Sequence, residues 1–198
     1  SGSLIRHKGG KKTTPFLVDA SVDLKGQAII TSSSASEVSQ ESDMIKGSFF
    51  THYLKSGLRG AADVSKDGRV TLEEVYQFAF NETIARTEAT MGGTQHPNYE
   101  IHLTGTGHLV MTDLRGTDST LILGEDIKGR VFIRNKLGFL VVEVRKFAGG
   151  AIELGLNAGS YQLTVDNEGE LSRASVELFK GQKTAITGKA FSAITKEL

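Results

Sequence analysis

From about residue 115 onward, the chain consists of short β-rich runs that are separated by turn residues. These runs lie at residues 121–123, 130–133, 139–144, 151–156, 161–165, 174–178 and 184–186. Several short strands at this spacing are typical of antiparallel sandwiches, in which two sheets share one apolar core. We therefore predict an all-β sandwich, acting as an accessory domain, over residues 115–198.

Ahead of residue 115, the apolar residues follow helical as well as strand spacing. Residues 27–31 are apolar and partly β-branched, which predicts a short buried strand. Two further sets of apolar residues recur at three- and four-residue intervals, the spacing of one helix face. The first set is Ile45, Phe49, Phe50, Tyr53, Leu54 and Leu58, and the second is Leu72, Val75, Tyr76, Ala79, Phe80 and Ile84. Residues 99–103 and 108–112 read as two more strands, which makes the region before 115 an αβ segment.

Charge is unevenly placed along the chain but balanced overall. Residues 1–25 include Arg6, Lys8, Lys11 and Lys12 beside paired glycines, which predicts a flexible basic loop. Because 23 basic residues balance 23 acidic ones, we expect no nucleic-acid partner and no membrane partner. The sequence also has no apolar run of about 18 residues that could span a bilayer. We therefore expect a soluble, cytoplasmic protein.

The chain contains no cysteine. This absence excludes disulfides, thiolate metal sites and a cysteine nucleophile within the sequence. It also leaves the redox compartment undetermined, because no thiol is present to report on it.

Three phrases in the αβ segment carry a family resemblance. Residues 26–42 pass from an apolar strand into a serine- and acid-rich loop, and Gly47-Ser48-Phe49-Phe50-Thr51 opens the next helix. Gln95-His96-Pro97 then precedes the next predicted strand. Together these phrases resemble the C-terminal, small-subunit half of bacterial caspase-like and metacaspase-like cysteine peptidases. The resemblance covers most of residues 1–114 and implies an α/β caspase-hemoglobinase-like half-domain, here followed by the C-terminal sandwich.

In this family, the loop after the strand forms the pocket that selects the substrate residue before the scissile bond. Glu37 is the best positional counterpart of the family's pocket aspartate, and Ser34, Ser36 and Glu41 are neighbouring substrate-binding candidates. A carboxylate in such a pocket pairs with arginine or lysine, so the resemblance implies a preference for a basic residue. The alternative is that Glu37 and Glu41 are solvated loop acids.

The resemblance implies that the catalytic cysteine and histidine lie upstream of residue 1, so no catalytic residue is expected in this chain. The implied reaction is acyl transfer, in which the upstream thiolate attacks the peptide carbonyl and the upstream histidine protonates the leaving amine. Ser1-Gly2-Ser3 either follows the family's cysteine directly or is a cloning remnant. The expected partners are this upstream segment and a peptide or protein substrate.

The sandwich carries a second resemblance. Residues 159–165, with their glycine-x-tyrosine opening, are followed by Val176-Glu177-Leu178 and Gly181-Gln182. This pattern is similar to β-sandwich modules related to carboxypeptidase regulatory domains. The resemblance implies a role in recognition, regulation or structural support rather than in chemistry.

The sharpest local motif is a twelve-residue loop that begins at Asp63. Counted from Asp63, oxygen-bearing residues occupy positions three, five, nine and twelve, with glycine at six and an aliphatic residue at eight. This is the spacing of an EF-hand calcium loop, in which position seven contributes its backbone carbonyl. The candidate ligands for a structural calcium ion (Ca²⁺) are Asp63, Ser65, Asp67, Arg69, Thr71 and Glu74. The alternative is a simple turn at Asp67-Gly68, after which Thr71 and Glu74 form a capping box.

These observations lead to one functional prediction and two alternatives. We predict the C-terminal portion of a caspase-like cysteine endopeptidase, which supplies the specificity pocket to an upstream Cys-His dyad. The first alternative is a non-enzymatic pseudo-peptidase or adaptor whose β-sandwich binds a protein partner. The second is a calcium-dependent scaffold.

Overall fold

The computed structural model of the chain describes residues 24–33, 41–42, 47–88, 90 and 93–194. Within these residues, β-strands are the main regular elements and form several sheets, and helices are few. This confirms that the fold is largely β. The predicted basic loop lies outside the described residues up to position 23, and its last residue, Lys25, already belongs to a strand. Within the described ranges, no helix is both long enough and apolar enough to cross a membrane.

In the part of the αβ segment that the structure describes, there are six strands and two α-helices. In chain order these are β1 (Lys25–Thr31), β2 (Glu41–Ser42), β3 (Gly47–Ser48), α1 (Phe49–Ser56), β4 (Arg69–Thr71), α2 (Leu72–Thr87), β5 (Asn98–Thr104) and β6 (Val110–Asp113). The strands pair two by two and antiparallel, as β1 with β5, β2 with β3, and β4 with β6. Each small sheet therefore depends on the helices or on the sandwich for burial of its apolar side chains.

The prediction of a buried strand at 27–31 was right about the strand and wrong about burial. Most residues of β1 are exposed, including Ile29 at 43%. The physical reason is that β5 is its sole described neighbour in the sheet. Ile30 does pack against the cluster of Phe49, Phe50 and Tyr53, so one face of β1 is partly covered.

Helix α1 is shorter than the apolar spacing from Ile45 to Leu58 predicts, because Gly47–Ser48 form strand β3 and the helix begins at Phe49. Phe49, Phe50 and Tyr53 are buried as expected, whereas the predicted face residue Ile45 lies outside the described residues. The helix stops at Ser56, and a π-helical turn over Gly57–Ala61 carries Leu58 instead. Gly60 in this turn has a φ of +117°, a conformation that glycine adopts without strain.

Helix α2 begins with the capping box that the sequence predicts. Thr71 Oγ1 accepts the backbone N–H of Glu74 at 3.2 Å, and Glu74 Oε2 accepts the backbone N–H of Thr71 at 3.0 Å. Leu72, Val75 and Tyr76 are buried on the inner face of the helix. The cap and the apolar face together account for where this helix starts and which side faces inward.

Residues 119–194 form a two-sheet β-sandwich. Its strands are β7 (Ser119–Leu123), β8 (Gly129–Asn135), β9 (Leu140–Lys146), β10 (Ile152–Leu156), β11 (Gly159–Asn167), β12 (Glu170–Leu178), β13 (Lys183–Ile186) and β14 (Ser192–Ala193). One sheet has the order β14-β12-β11-β8-β9, and the other has the order β10-β7-β13. Between them lies one apolar core to which both sheets contribute, with Leu121, Ile133 and Leu163 fully buried.

One pairing departs from the predicted antiparallel arrangement. Strand β13 runs parallel to β7, whereas the other pairs in the two sheets are antiparallel. The chain crosses from the five-stranded to the three-stranded sheet between β12 and β13 and is held there by a hydrogen bond from Gly181 N to Asp118 O of 2.7 Å. Because β13 does not reach β7 through a hairpin, hairpin geometry does not fix its direction.

The αβ segment and the sandwich pack directly on each other. Ala61 and Phe78 both contact the core of the sandwich. The turn at Gly60 lies so close to β10 that a Cβ placed there would be 2.2 Å from the backbone oxygen of Glu153. Because Gly60 has no side chain, its backbone can contact the backbone of Glu153. A residue with a Cβ at position 60 would prevent this contact.

Candidate substrate pocket and candidate calcium loop

The end of β1 is tied to the phrase Gln95-His96-Pro97. Gln95 is fully buried, and its Nε2 donates a hydrogen bond to the backbone oxygen of Ser32. Its backbone N–H donates to Thr87 Oγ1 at 2.9 Å, at the C-terminal end of α2. Two phrases of the family resemblance, which are 63 residues apart in the chain, therefore meet where the serine-rich loop begins.

Tyr76 fixes the residues that follow this phrase. Its hydroxyl donates to the backbone oxygen of Pro97 at 3.0 Å, and its ring lies 4.0 Å from the ring of Tyr99. Burial, and secondarily Tyr99, raise the pKa of Tyr76. The hydroxyl therefore stays protonated and able to donate across the neutral range.

The four candidate substrate-binding residues are described to different extents. Ser34, Ser36 and Glu37 lie outside the described residues, so their predicted role stays a prediction. Glu41 belongs to β2, where its backbone pairs with Ser48 of β3. Since Ser48 is the residue before α1, the backbone of Glu41 lies beside the N-terminus of that helix.

The first half of the candidate calcium loop is closed by the carboxylates of Asp63 and Asp67. Asp63 Oδ2 accepts the backbone N–H of Gly68 at 3.1 Å, and Asp63 Oδ1 accepts Ser65 Oγ at 3.3 Å. Asp67 Oδ1 accepts the backbone N–H of Arg69 at 2.8 Å. Burial raises the pKa of Asp63 above its ordinary value. The hydrogen bonds that Asp63 accepts from Gly68, Lys66 and Ser65 lower this pKa, but they do not outweigh the effect of burial.

The last position of the loop, Glu74, reaches back to its beginning. Glu74 Oε1 accepts the backbone N–H of Ser65 at 3.2 Å, while Oε2 accepts both the N–H and the hydroxyl of Thr71. Burial opposes ionisation of Glu74, but these hydrogen bonds outweigh it and hold the pKa of the carboxyl below its ordinary value. The carboxylate is therefore ionised at neutral pH.

Strand β4 contains positions seven to nine of the loop. It pairs with β6, so that Arg69 lies opposite Asp113 and Val70 lies opposite Thr112. Asp63 and Glu74 both contact Ser65, whereas Asp67 turns toward Arg69. Among the described residues, no group of three or more His, Cys, Asp or Glu side chains is arranged to hold a metal ion.

A buried polar network between the helices and the sandwich was missed by the sequence analysis. Glu143 of β9 is 2% exposed, and its Oε1 accepts Tyr53 Oη at 3.0 Å and Arg130 Nη1 at 2.7 Å. Arg130 also donates to Glu82 Oε2 of α2 at 3.1 Å. His52 Nε2 lies 3.4 Å from Glu143 Oε2, as a close electrostatic contact. The network therefore joins both helices to strands β8 and β9.

The two carboxylates of this network have opposite pKa shifts. Burial raises the pKa of Glu82, and its ion pair with Arg130 offsets this only in part. Burial also disfavours ionised Glu143, but its contacts with His52 and Arg130 prevail and lower its pKa. The available sequence signal was Glu143 itself, a charged residue inside the apolar run Val141-Val142-Glu143-Val144.

Comparisons of the chain with protein-family models, with curated proteins and with solved structures found no match.

Proposed function

We propose that this chain is the C-terminal portion of a caspase-like cysteine endopeptidase and contributes an α/β caspase-hemoglobinase-like half-domain. In this proposal, the residues that follow β1 form the specificity pocket, and the Cys-His dyad belongs to an upstream segment. The protein partners are that segment and a peptide or protein substrate. The dyad carries out the acyl transfer, and the pocket binds a basic residue before the scissile bond.

The observation that carries this proposal is the two-stranded sheet that β1 and β5 form within the described residues. Two-stranded sheets are marginally stable by themselves, and here Ile29 and Tyr99 are 43% and 41% exposed. A sheet of two described strands is what a half-domain would leave for the strands of a separate segment to extend at its edges. The hydrogen bond from Gln95 to Ser32 adds support, because it holds together two phrases that the resemblance associates with the pocket.

The test is a cleavage assay of the chain joined to its natural upstream segment. Peptide reporters ending in arginine, lysine or aspartate are compared, and we expect cleavage after arginine and lysine. Glu37→Gln should reduce kcat/KM for the basic reporters by about 100-fold, because it removes the charge that pairs with them. Glu177→Gln, an exposed change in β12, is the matched control and should leave cleavage unaltered.

If none of the three reporters is cut while the joined protein is folded, the peptidase proposal fails. The adaptor alternative, in which the sandwich binds a protein partner, then takes its place. Cleavage that is unaffected by Glu37→Gln would retain the peptidase but reject Glu37 as the pocket carboxylate.

A structural calcium ion is proposed in addition, at the loop from Asp63 to Glu74. The donor set fits this ion because it offers oxygen alone: three carboxylates, the hydroxyls of Ser65 and Thr71, and the backbone carbonyl of Arg69. The specific support is that Glu74 reaches back to Ser65, which joins the end of the loop to its beginning. When bound, the ion would stiffen the connection between α1 and α2.

Thermal unfolding with and without calcium tests this site. Calcium at 100 times its Kd should stabilise the parent by about 2.7 kcal/mol, since it binds only the folded loop. Glu74→Gln should lose this response, although glutamine can still serve in a capping box. Glu73→Gln removes a neighbouring exposed carboxylate and should keep the response. A parent protein that does not respond to calcium would remove the site.

A further inference from the structure

The buried network between the helices and the sandwich places two carboxylates on one cation. Arg130 Nη1 donates to Glu143 Oε1 at 2.7 Å and to Glu82 Oε2 at 3.1 Å. The side chains of Glu82, Arg130 and Glu143 are only 15%, 19% and 3% exposed, so salt and water screen their charges little. One guanidinium nitrogen therefore serves two carboxylates that lie on different parts of the molecule, α2 and β9.

The two carboxylates are held by different numbers of partners. Glu143 Oε1 also accepts the hydroxyl of Tyr53 of α1 at 3.0 Å. The other carboxylate oxygen of Glu143 lies 3.4 Å from Nε2 of His52, on the same helix. In the part of the chain that the structure describes, Glu82 accepts a side-chain hydrogen bond from Arg130 alone. Because favourable contacts with the charged form keep a buried carboxyl ionised, Glu82 takes up a proton before Glu143 as the pH falls.

The charges around Glu82 act in both directions, and burial outweighs them. Burial raises the pKa of Glu82 above its ordinary value, and the nearby carboxylate of Glu143 adds to this effect. Arg130 and, more weakly, Arg145 of β9 favour the ionised form but do not offset the burial. Arg86, one turn further along α2, forms no ion pair with Glu82 within the described residues. Glu82 therefore stays neutral to a higher pH than an exposed glutamate does.

We propose that Glu82 acts as a proton-dependent clasp, which holds α2 on the sandwich more firmly when its carboxyl is neutral. This inference does not depend on the proposed peptidase function. With Glu82 neutral, Arg130 forms an ion pair with Glu143 alone, so the two buried charges balance. When Glu82 ionises, a second buried carboxylate shares that cation, and α2 separates from β8 and β9 more often. A rise in pH through the raised pKa of Glu82, above the ordinary value of about 4.3, therefore loosens the junction.

Hydrogen exchange of the α2 amides at pH 5 and pH 7 tests the clasp, with Glu82→Gln as a permanently neutral isostere. At pH 5, residues 72–87 of the parent and of Glu82→Gln should exchange at similar rates. At pH 7, these amides should exchange about tenfold faster in the parent, because only the parent gains the second buried charge. Both proteins are compared at the same pH, so the intrinsic exchange rate cancels, as does any proton that His52 takes up.

Glu88→Gln, which removes an exposed carboxylate at the C-terminal end of the same helix, is the control and should match the parent at both pH values. A ratio of parent to Glu82→Gln exchange rates that is equal at pH 5 and pH 7 would overturn the inference, because a merely structural role does not depend on charge. If Glu82→Gln does not fold, carbon-13 titration of the Glu82 carboxyl in the parent decides. A midpoint above that of Glu88 supports the clasp, and a midpoint at or below it rejects the clasp.

Discussion

At the scale of single residues, the carboxylates of Glu82 and Glu143 join the helices to the sandwich through their contacts with Arg130. Both contact Arg130, but their pKa values move in opposite directions. The carboxylate of Glu143 accepts two hydrogen bonds, from Tyr53 and Arg130, and lies beside His52. Glu82 accepts one from Arg130, which does not offset the cost of burial. Ionisation therefore strengthens the network at Glu143 and weakens it at Glu82.

The opposite shifts predict opposite pH dependences for two variants. The lowered pKa of Glu143 gives stability that is present above the unfolded pKa of about 4.3 and is lost as pH falls through the folded value. Glu143→Gln should therefore cost about 3 kcal/mol at pH 7 and less at pH 4. The raised pKa of Glu82 gives stability that is lost as pH rises, so Glu82→Gln should become relatively more favourable from pH 4 to pH 7.

Urea unfolding of the parent and both variants at the two pH values measures these differences. Glu177→Gln supplies the baseline for removing one exposed charge, because Glu177 lies outside the network and accepts its hydrogen bond from Ser160. Parallel pH dependences for Glu82→Gln and Glu143→Gln would contradict the assignment of opposite shifts.

At the scale of elements, the turn after α1 fixes how closely the helices approach the sandwich. Gly60 combines a φ of +117° with a backbone contact to Glu153. Gly60→Ala should therefore destabilise the protein by about 2–4 kcal/mol, from backbone strain and overlap together. Thermal or urea unfolding of the variant measures this cost.

A comparison with Gly169→Ala separates the cost of backbone strain from the cost of overlap with Glu153. Gly169 also has a positive φ, of +94°, but nothing lies within 4 Å of a Cβ placed there. Its replacement should cost only about 1 kcal/mol from strain. Equal costs at the two positions would show that the contact with Glu153 contributes nothing.

Elements with strong local patterns could be predicted from the sequence. The strands of the sandwich follow from their apolar runs and turns, and α2 follows from its capping box at Thr71 and Glu74. The π-helical turn at Gly60 and the parallel pairing of β13 could not be predicted, because each depends on a distant backbone. For the same reason, the burial of β1 was predicted wrongly, since the strand composition does not reveal how many neighbours the strand has.

In the candidate sites, too, features with a local sequence pattern could be predicted, and features that depend on distant parts of the chain could not. The spacing from Asp63 to Glu74 predicted a loop, and the structure joins the ends of this stretch with hydrogen bonds that Ser65 donates to Glu74 and Asp63. Calcium binding there stays a prediction. The Glu143 network could not be predicted as a unit, because its members come from α1, α2, β8 and β9. A charged residue in an apolar strand signals an unusual position but does not identify its partners.

At the scale of the whole molecule, the helices and the sandwich share side-chain and backbone contacts. Ala61 and Phe78 extend the apolar core of the sandwich toward the αβ segment, and the Glu143 network lies beside them. Contacts with the sandwich therefore help to fix the position of α1. Binding or loss of a partner at one part should alter the stability of the other.

The hydrogen bond between Tyr53 and Glu143 joins residues that are 90 positions apart. During synthesis, Tyr53 leaves the ribosome well before its acceptor has been translated. Docking of α1 on the sandwich must therefore await completion of β9, and contacts of such long sequence separation form slowly. Until then, the part of the nascent helix that docks on β9 stays uncovered, which makes this interval the period when chaperones would be needed.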